Sequence, residues 1–270
     1  MKKNLVSVII PTYNNERTIT NCLISIKNQV YKEIELIVID NNSDDKTQEI
    51  AKKFADKLII RSTTPSEARN IGILNSKGDC ILSIDSDMIL EQTVIEECVS
   101  KINDYDALVI PEKSIGENFW ADCKAFERSF YIGNPLVESP RFFRKTALKQ
   151  VGYFDPTILF GEDMDTRNKL EAGNFRINRI NSIIKHDEGK LSFKKIWFKY
   201  KHYGYTALDY SKKYPGKSKK QLGYFRIIQF LKRWKELLKH PILTTGFILL
   251  KSVECLAFQY GGWLRKWKSV

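Results

Sequence analysis

LVSVIIP, residues Leu5–Pro11, is a short run of aliphatic and β-branched residues that ends at a proline. IELIVID, residues Ile34–Asp40, repeats this pattern, and RTITNCLISIKNQ between them has apolar positions at helical spacing. The alternation continues with a helix in KTQEIAKKFA, a strand in KLIIR, a helix closed by Gly78 in PSEARNIGILNSKG, and a buried strand in ILSIDSDMIL, residues Ile81–Leu90. This order predicts an α/β fold with a mainly parallel sheet and helices on both faces.

The composition is that of a folded globular protein. The chain has 270 residues, of which 43% are hydrophobic and 28% are charged, enough for one full α/β domain with an appendage or for two small domains. Its five cysteines are widely spaced without a CxxC pair, and it has three histidines. These counts disfavour a cysteine-built zinc site or a multi-histidine metal site and predict reduced, buried thiols in a cytoplasmic protein.

Charge is distributed unevenly along the chain. Residues 1–189 hold 25 Lys and Arg against 29 Asp and Glu, a balance of −4, whereas residues 190–270 hold 19 against 3, a balance of +16. The basic character therefore belongs to the C-terminal tail, and the two parts are expected to meet different partners.

Three polar clusters follow predicted strands. They are PTYNNE at Pro11–Glu16, DNNSDD at Asp40–Asp45, and DSD at Asp85–Asp87. Ligands of open α/β sheets bind beyond the carboxyl ends of the strands, so the three clusters predict one binding edge. For Asp44 or Asp45 a helix cap or a turn is an equal alternative. In a continuous strand Asp85 and Asp87 share a face, where two carboxylates require a cation, protons or water.

An ordered set of segments resembles the inverting, nucleotide-sugar-dependent glycosyltransferases of family 2. The set is VSVIIPTYNNERTI, LIVIDNNSDDKT, EARNIGI, SIDSDM and GYFDPTILFGEDMDTRNKLEAGNFRI, within residues 5 to about 190. The resemblance implies the GT-A fold, with a nucleotide-binding half at about 1–110 and an acceptor half at about 111–190. Residues 191–270 are then a basic, aromatic-rich helical tail.

The resemblance also implies the donor site. Its expected contacts are the strand-end, turn and helix residues Pro11, Thr12, Tyr13, Glu16, Asp40, Arg69, Asp85 and Ser86. Asp40 is expected to bond the base, whose identity stays open because the chain reads DNNS where many members read DDGS. For Arg69 the alternative is an exposed helix cation.

A divalent cation suits the predicted chemistry. Departure of a nucleoside diphosphate builds negative charge, which Mg²⁺ or Mn²⁺ held by oxygen ligands neutralises as a Lewis acid. We expect Asp87 to bind this metal and Asp85 to lie nearer the ribose or a metal-bound water; the alternative is a polar turn after a strand. The resemblance places His186 near the metal or the diphosphate. The alternative for His186 is a structural or surface role.

FGEDMDTRNKL, residues Phe160–Leu170, predicts a turn followed by a helix with an acidic first turn. Acidic residues favour helix N-termini, so capping is an alternative, but three acids in four positions exceed that need. An acceptor hydroxyl loses its proton as it attacks, and a carboxylate is a suitable base. The resemblance assigns this role to Asp163, with Glu162 or Asp165 orienting it or contacting the acceptor. One in-line attack then gives inversion.

An aromatic segment lies between the two acidic sites. Trp120, Phe119 or Tyr131 could pack against the apolar face of an acceptor sugar, although core packing is the favoured role of most such rings.

Lysines alternate with aromatic residues in the tail, which is typical of an interfacial helix on anionic lipid and also of nucleic-acid binding. The apolar run Ile242–Leu250 has nine residues, too few for a bilayer of ~30 Å, and Lys251 and Glu254 follow it. A peripheral or monotopic position on the cytoplasmic face of the membrane is therefore expected, with a lipid-linked saccharide as acceptor. A helical hairpin packed on the catalytic domain, or a homodimer interface, is the alternative.

Three functions fit these patterns. The first is a glycosyltransferase acting on a sugar hydroxyl, and the second is a polyprenyl-phosphate sugar synthase of similar fold. The acidic segment GEDMD favours the first, because the phosphate acceptor of the second is already anionic and has less need of a base. The third is a non-enzymatic basic protein whose tail binds nucleic acid in a salt-sensitive way; no nucleic-acid partner is expected.

Overall fold

The computed structural model describes residues 4–222 and 225–268, with the side chains of residues 222, 225–227 and 268 left out. The chain divides into two compact units. Unit 1 consists of residues 4–112, 139–156 and 162–187, and unit 2 of residues 113–138, 157–161 and the described part of 188–270.

The strands are β1 (Val6–Thr12), β2 (Ile34–Asp40), β3 (Lys57–Ile60), β4 (Cys80–Ser83), β5 (Met88–Leu90), β6 (Ala107–Val109), β7 (Glu112–Ile115), β8 (Pro140–Arg144), β9 (Ile177–Arg179) and β10 (Ile184–Asp187). The helices are α1 (Ile19–Lys27), α2 (Thr47–Phe54), α3 (Pro65–Leu74), α4 (Val94–Lys101), α5 (Phe119–Ser129), α6 (Lys145–Gln150), α7 (Glu162–Ala172), α8 (Phe193–Lys213), α9 (Pro215–Leu222), α10 (Phe225–Lys232), α11 (Trp234–Lys239) and α12 (Pro241–Lys268).

Unit 1 is built on a seven-stranded sheet in the order β3-β2-β1-β4-β8-β6-β9. The pairs β1–β2, β1–β4, β2–β3 and β6–β9 are parallel, and β8 pairs antiparallel with both β4 and β6. Among the described strands of this sheet, β8 alone therefore runs against the others. The predicted α/β fold with a mainly parallel sheet is confirmed.

Both faces of this sheet are covered. Along β1, Val6, Val8 and Ile10 face a core that also contains residues of α1 and α4. Ile9 faces the opposite core, which includes residues of α3, α6 and α7. The β-branched residues of β1 thus pack on two apolar layers, which leaves the ends of the parallel strands for polar chemistry.

Two sequence predictions about strand and helix ends are wrong. ILSIDSDMIL forms two strands: β4 joins the central sheet, whereas β5 pairs antiparallel with β10, with Met88 opposite His186. The chain turns between them, where the Met88 backbone N–H donates to the Asp85 carbonyl at 3.1 Å. Asp85 and Asp87 therefore do not share one strand face. Helix α3 ends at Leu74 with Asn75 as its C-cap, before Gly78.

Unit 2 is helical, and its longest helices, α8 and α12, touch at the backbone. A Cβ added to Gly204 on α8 would lie 1.8 Å from the Phe258 carbonyl oxygen of α12, and one added to Gly261 would lie 2.0 Å from the Lys201 carbonyl oxygen. Small residues are therefore required at this crossing. Aromatic residues fill the rest of its core: Tyr131 is 7% exposed, and Trp120 packs on Phe193 with ring centroids 4.5 Å apart.

Helix α12 is longer than its sequence pattern indicated. It is continuous over 28 residues, and its segment Pro241–Trp267 is long and apolar enough to cross a membrane by length and composition. The nine-residue apolar run is therefore part of a longer helix, and the length of the run alone does not decide between a spanning and a surface position. The positions of Lys251 and Glu254 within the helix still have to be explained.

Those two charges belong to a closed ionic network inside unit 2, which we call the charge square and define as Lys124, Glu127, Lys251 and Glu254. The Lys124 ammonium lies 2.6 Å from each of the two glutamates. The Lys251 ammonium lies 2.6 Å from Glu127 and 2.8 Å from Glu254. Each lysine thus contacts both glutamates, so α12 carries two charges without leaving either unpaired.

Of the cysteines, Cys22, Cys80, Cys98 and Cys123 are buried free thiols, as expected. Cys255 is free but exposed, which corrects the expectation that all five are buried.

Candidate active site

The loops after β1 and β2 are joined to each other by hydrogen bonds. The Asn14 N–H donates to Ser43 Oγ at 2.9 Å, and the Asp44 N–H donates to Asn14 Oδ1 at 3.0 Å. The Glu16 N–H donates to Asp45 Oδ2 at 3.0 Å. Asp45 also accepts from the Thr47 N–H at the start of α2, whose N-cap is Lys46, so the turn alternative holds for Asp45. Glu16 thus lies in a fixed turn at the carboxyl edge of the sheet, whereas Pro11 lies within β1 opposite Ile39.

Asp40 ends β2 beside Thr12, its register partner in β1. It is fully buried, and its carboxylate accepts hydrogen bonds from the Ser43 N–H at 2.8 Å, the Ser43 hydroxyl at 2.5 Å and the Gln48 amide at 2.7 Å. These bonds fix the loop that begins DNNS. Tyr13, next to buried Thr12, is 55% exposed and offers a ring to a ligand.

Asp85 lies between two arginines. Its Oδ1 is 2.7 Å from Arg69 Nη2, and its Oδ2 is 3.6 Å from Arg141 Nη1. Burial would raise the pKa of Asp85, but the two guanidinium groups outweigh burial and lower it. Asp85 is therefore an ionised carboxylate with both oxygens facing cations, while its neighbour Ser86 is buried.

Arg69 is 2% exposed, so the alternative of an exposed helix cation is wrong. It projects from α3, whose start is fixed by a capping box between Thr64 and Glu67. Its guanidinium packs 5.5 Å over the Phe154 ring and also bonds Glu162 at 3.1 Å. Arg69 thus joins the DSD turn to the start of α7.

Sequence reasoning missed Arg141 and Glu112. Arg141 lies on β8 with its side chain 9% exposed, and its Nε donates to Glu112. Its Nη2 lies 3.8 Å from Asp163 Oδ2. A charged residue beside the apolar pair Phe142 and Phe143 of this strand was the available signal, because buried arginines require partners.

Asp87 and His186 are brought together, although they are 99 residues apart. His186 Nε2 lies 3.2 Å from Asp87 Oδ2, and His186 Nδ1 lies 3.6 Å from Glu112 Oε2. Asp87 Oδ1 is buried without a hydrogen-bond partner in the described part of the chain. An unsatisfied carboxylate oxygen beside an imidazole fits a divalent cation.

Across residues 4–222 and 225–268, no group of three or more His, Cys, Asp or Glu side chains has an arrangement that could hold a metal ion. A metal at Asp87 and His186 would therefore take its other ligands from water or a bound diphosphate, as Mg²⁺ usually does.

Helix α7 begins with the three predicted acids. Glu162 faces Arg69, and Asp163 faces Arg141 with its side chain 31% exposed. Asp165 is fully buried and lies 3.5 Å from Lys169 within α7. Burial and the neighbouring Asp163 raise the pKa of Glu162 to about 7, against the effect of Arg69. The first two acids thus face the DSD side of unit 1, whereas Asp165 packs inside.

A mainly parallel sheet with helices on both faces and polar turns at the carboxyl ends of its strands has the architecture of the GT-A fold. The family model "Glycosyl transferase family 2" matches residues 7–156, more than half of the chain. The chain therefore belongs to glycosyl transferase family 2.

Two curated relatives illustrate the range of similarity. Glycosyltransferase GlyA of Streptococcus pneumoniae is 38% identical over 108 residues, which cover 38% of this chain and 16% of that protein. The poly(ribitol-phosphate) beta-N-acetylglucosaminyltransferase TarP of Staphylococcus aureus is 27% identical over 186 residues, 65% of this chain and 54% of TarP. The chain thus matches about half or less of the length of these relatives.

Solved structures share the fold. S. aureus TarS 1–349 in complex with UDP-GlcNAc has a TM-score of 0.56 at 22% identity, covering 76% of this chain and 66% of that one. The mannosyltransferase PcManGT from Pyrobaculum calidifontis, in complex with GDP-Man and Mn²⁺, has a TM-score of 0.68 at 14% identity, covering 100% of this chain and 89% of that one.

Proposed function

We propose that this protein transfers a sugar from a nucleoside-diphosphate sugar to a hydroxyl group of a saccharide acceptor, with inversion at the anomeric carbon. The carrying observation is that Asp163 and Asp85 lie on the same guanidinium group, that of Arg141, at 3.8 and 3.6 Å. A carboxylate suited to be a base is thus held beside the turn that family members use for the donor. The donor half is assigned to about residues 1–110, the acceptor half to 111–190 and the tail to 191–270.

Donor binding is assigned to the loop edge of unit 1. Tyr13 offers an exposed ring to the nucleoside, and Asp40 and Thr12 fix the turns around it. Pro11, Glu16 and Ser86 shape the same edge, as the family resemblance implies. The complexes of TarS with UDP-GlcNAc and of PcManGT with GDP-Man support a nucleotide-sugar donor in this fold.

Asp87 and His186 would hold Mn²⁺ or Mg²⁺. The unsatisfied Asp87 Oδ1 supports this assignment, and so does the Mn²⁺ of the mannosyltransferase neighbour. When bound, such a cation supplies Lewis-acid neutralisation of the leaving diphosphate. Arg69 and Arg141 do not replace it, because each already faces carboxylates.

Asp163 is the proposed base. The acceptor oxygen forms a bond to the anomeric carbon from the face opposite the diphosphate, the bond from that carbon to the diphosphate oxygen breaks with its electron pair, and the hydroxyl proton passes to the Asp163 carboxylate. Glu162 is the first residue of α7, and its ion pair with Arg69 fixes this end of the helix beside α3. A single displacement of this kind inverts the anomeric configuration.

The donor is found by incubating the protein with a panel of nucleoside-diphosphate sugars and Mn²⁺ or Mg²⁺ and measuring released nucleoside diphosphate. With the active donor, Asp163→Asn should leave nucleoside-diphosphate affinity near wild type and reduce transfer by roughly 10²–10⁴-fold. Transfer to a polyprenyl phosphate, with no effect of Asp163→Asn, would contradict the hydroxyl acceptor. A product with retained anomeric configuration by NMR would contradict inversion.

Unit 2 is the proposed membrane-binding part, at the cytoplasmic face, which favours a lipid-linked saccharide acceptor. Large apolar side chains of α11 and α12 are exposed: Trp234, Leu238, Ile242, Ile248, Leu249, Leu256, Tyr260, Trp263 and Trp267. Exposed Lys232, Lys235 and Lys239 accompany the first two. Apolar rings between lysines match an anionic bilayer surface, and the charge square explains how α12 can lie there with its two charges turned inward.

Point substitutions test this better than truncation, because α12 contributes Phe247 and Leu250 to the core of unit 2. The wild-type protein should float with anionic vesicles. Salt should weaken this binding without fully releasing the protein, because the apolar contacts remain. The double variant Trp263→Ser, Trp267→Ser should bind several-fold less, whereas Leu74→Ser, an equally exposed apolar change in unit 1, should not. Equal binding by the double variant, or a dimer that buries these tryptophans in solution, would contradict the membrane assignment.

A further inference from the structure

Arg141 contacts three carboxylates with the three nitrogens of one guanidinium group. Its Nε donates to Glu112, its Nη1 lies 3.6 Å from Asp85 Oδ2, and its Nη2 lies 3.8 Å from Asp163 Oδ2. The side chain is 9% exposed, and β8, from which it projects, is hydrogen-bonded on both sides. The planar guanidinium group, held on a central strand, therefore fixes the positions of the three carboxylates around it.

Arg69 forms a second bridge of the same kind. It bonds Asp85 Oδ1 at 2.7 Å and Glu162 Oε1 at 3.1 Å. Asp85 thus gives one oxygen to each arginine, and the two arginines lead to adjacent residues of α7. The arrangement holds the DSD turn and the acidic helix start at a fixed separation within unit 1.

The chain of contacts continues from Arg141 to the proposed metal residues. Glu112 accepts from Arg141 with Oε1 and faces His186 Nδ1 at 3.6 Å with Oε2. His186 in turn lies 3.2 Å from Asp87. Arg141 is therefore the group from which contacts lead both to the proposed base and to the proposed metal residues.

We propose that Arg141 is a positioning residue that sets the carboxylate of Asp163 for transfer, and that it does so by sharing one guanidinium with Asp85 and Glu112. The inference rests on the proposed function, in which Asp163 is the base. A lysine at this position would keep the charge, but its single nitrogen cannot serve three carboxylates in separate directions. Asp163 would then be free to rotate, while the loops that bind the nucleoside would be unchanged.

The test compares Arg141→Lys, Asp163→Asn and the double variant in a transfer assay with the active donor and acceptor. We expect Arg141→Lys to lower kcat about 10²-fold, the scale of a misplaced catalytic group, with nucleoside-diphosphate affinity within about twofold of wild type by calorimetry. In the Asp163→Asn background the same substitution should lower kcat less than threefold, because Arg141 acts through Asp163. Arg176→Gln, an exposed arginine of unit 1, serves as the matched control and should match wild type.

Each outcome decides the inference. If Arg141→Lys lowers kcat by the same factor in both backgrounds, or if it lowers donor affinity and the melting temperature together, Arg141 has a general structural role and the inference is wrong. Wild-type kcat in Arg141→Lys would also overturn it, because charge alone would then suffice. Wild-type transfer in Asp163→Asn alone would instead refute the proposed base, which separates the failure of the function from that of the inference.

Discussion

Each of the two units contains a cluster of charged side chains, and the clusters differ in their charge balance. In the charge square of unit 2, two lysines meet two glutamates, and every contact between opposite charges is 2.6–2.8 Å. In unit 1, two arginines face Asp85, Glu112, Glu162 and Asp163, with Asp87 and His186 beside them.

The balanced cluster is a closed structure, whereas the cluster of unit 1 has an excess of negative charge. It contains five carboxylates against two guanidinium groups, one carboxylate oxygen without a hydrogen-bond partner among the described residues, and a glutamate whose pKa is about 7. Excess negative charge at the edge of a sheet is stable only with protons or a cation. The comparison therefore separates charges that neutralise one another from charges whose balance requires a proton or a cation.

The largest expected effect comes from opening the charge square. Glu254→Ala leaves buried Lys124 and partly buried Lys251 with one glutamate and should lower the free energy of unfolding by about 3–5 kcal/mol, measured by urea denaturation. Glu236→Ala on α11, whose ion pair with Lys239 is exposed, should change it little. A similar loss in both variants would show that the square is no stronger than a surface pair.

Replacing the whole square sharpens the same point. A variant with Lys124→Met, Glu127→Leu, Lys251→Met and Glu254→Leu, together with Tyr131→Phe and Tyr200→Phe, removes the charges and the two hydroxyls that bond them. Because an apolar replacement of similar volume avoids desolvation, its stability should be closer to wild type than that of Glu254→Ala. The opposite order would mean that the square contributes net stability.

The next effect is on ligand binding in unit 1. Asp87→Ala removes the unsatisfied carboxylate and should lower Mn²⁺-dependent affinity for the nucleoside diphosphate at least about 10²-fold, about 2.7 kcal/mol, by calorimetry. Affinity in the absence of metal should change little. Unchanged metal-dependent affinity would remove Asp87 from the metal site.

Glu162 should give unit 1 a pH dependence that the charge square lacks. Burial, Asp163 and Asp85 raise its pKa from 4.5 to about 7 despite Arg69, so between these values the folded state binds more protons than the unfolded state. Stability should therefore fall as pH rises from 4.5 to 7. Glu162→Gln should match wild type at pH 4.5 and be more stable at pH 8 by about 1–3 kcal/mol. An identical stability difference at both pH values would contradict the raised pKa.

The smallest effect is expected at a partly exposed pair of unit 2. Arg265 forms two 2.7 Å bonds to Asp209, with side chains 28% and 31% exposed. Arg265→Gln should cost about 0.5–1 kcal/mol in the same denaturation experiment, and less in high salt. A cost near that of Glu254→Ala would show that burial is not what distinguishes the square.

The sequence predicted local elements well where apolar periodicity was regular. Strand β2 spans Ile34–Asp40 as predicted, and α7 starts at Glu162 as its acidic turn indicated. The strand-end loops were predicted to lie together because parallel strands end at one edge, and the hydrogen bond from the Asn14 N–H to Ser43 Oγ confirms this for the loops after β1 and β2.

What the sequence could not predict depends on long-range pairing. The antiparallel strand β8 enters between β4 and β6, which brings Arg141 to Asp85 and Asp163. No local period encodes that insertion. Likewise, the split of Ile81–Leu90 into two strands follows from the turn at Asp85, whose carboxylate is drawn to buried arginines, and a run of alternating apolar residues conceals such a turn.

Because β4 and β5 belong to different sheets, the two aspartates of the DSD turn are held by different parts of unit 1. Asp85 follows a strand of the central sheet, whereas the Asp87 carbonyl accepts from the Asp187 N–H next to β5 and β10. Because no single strand dictates their spacing, a substitution along β10 can move Asp87 and leave Asp85 in place. The position of Asp87 can therefore change with the small sheet, while Asp85 stays fixed by the arginines beside the central sheet.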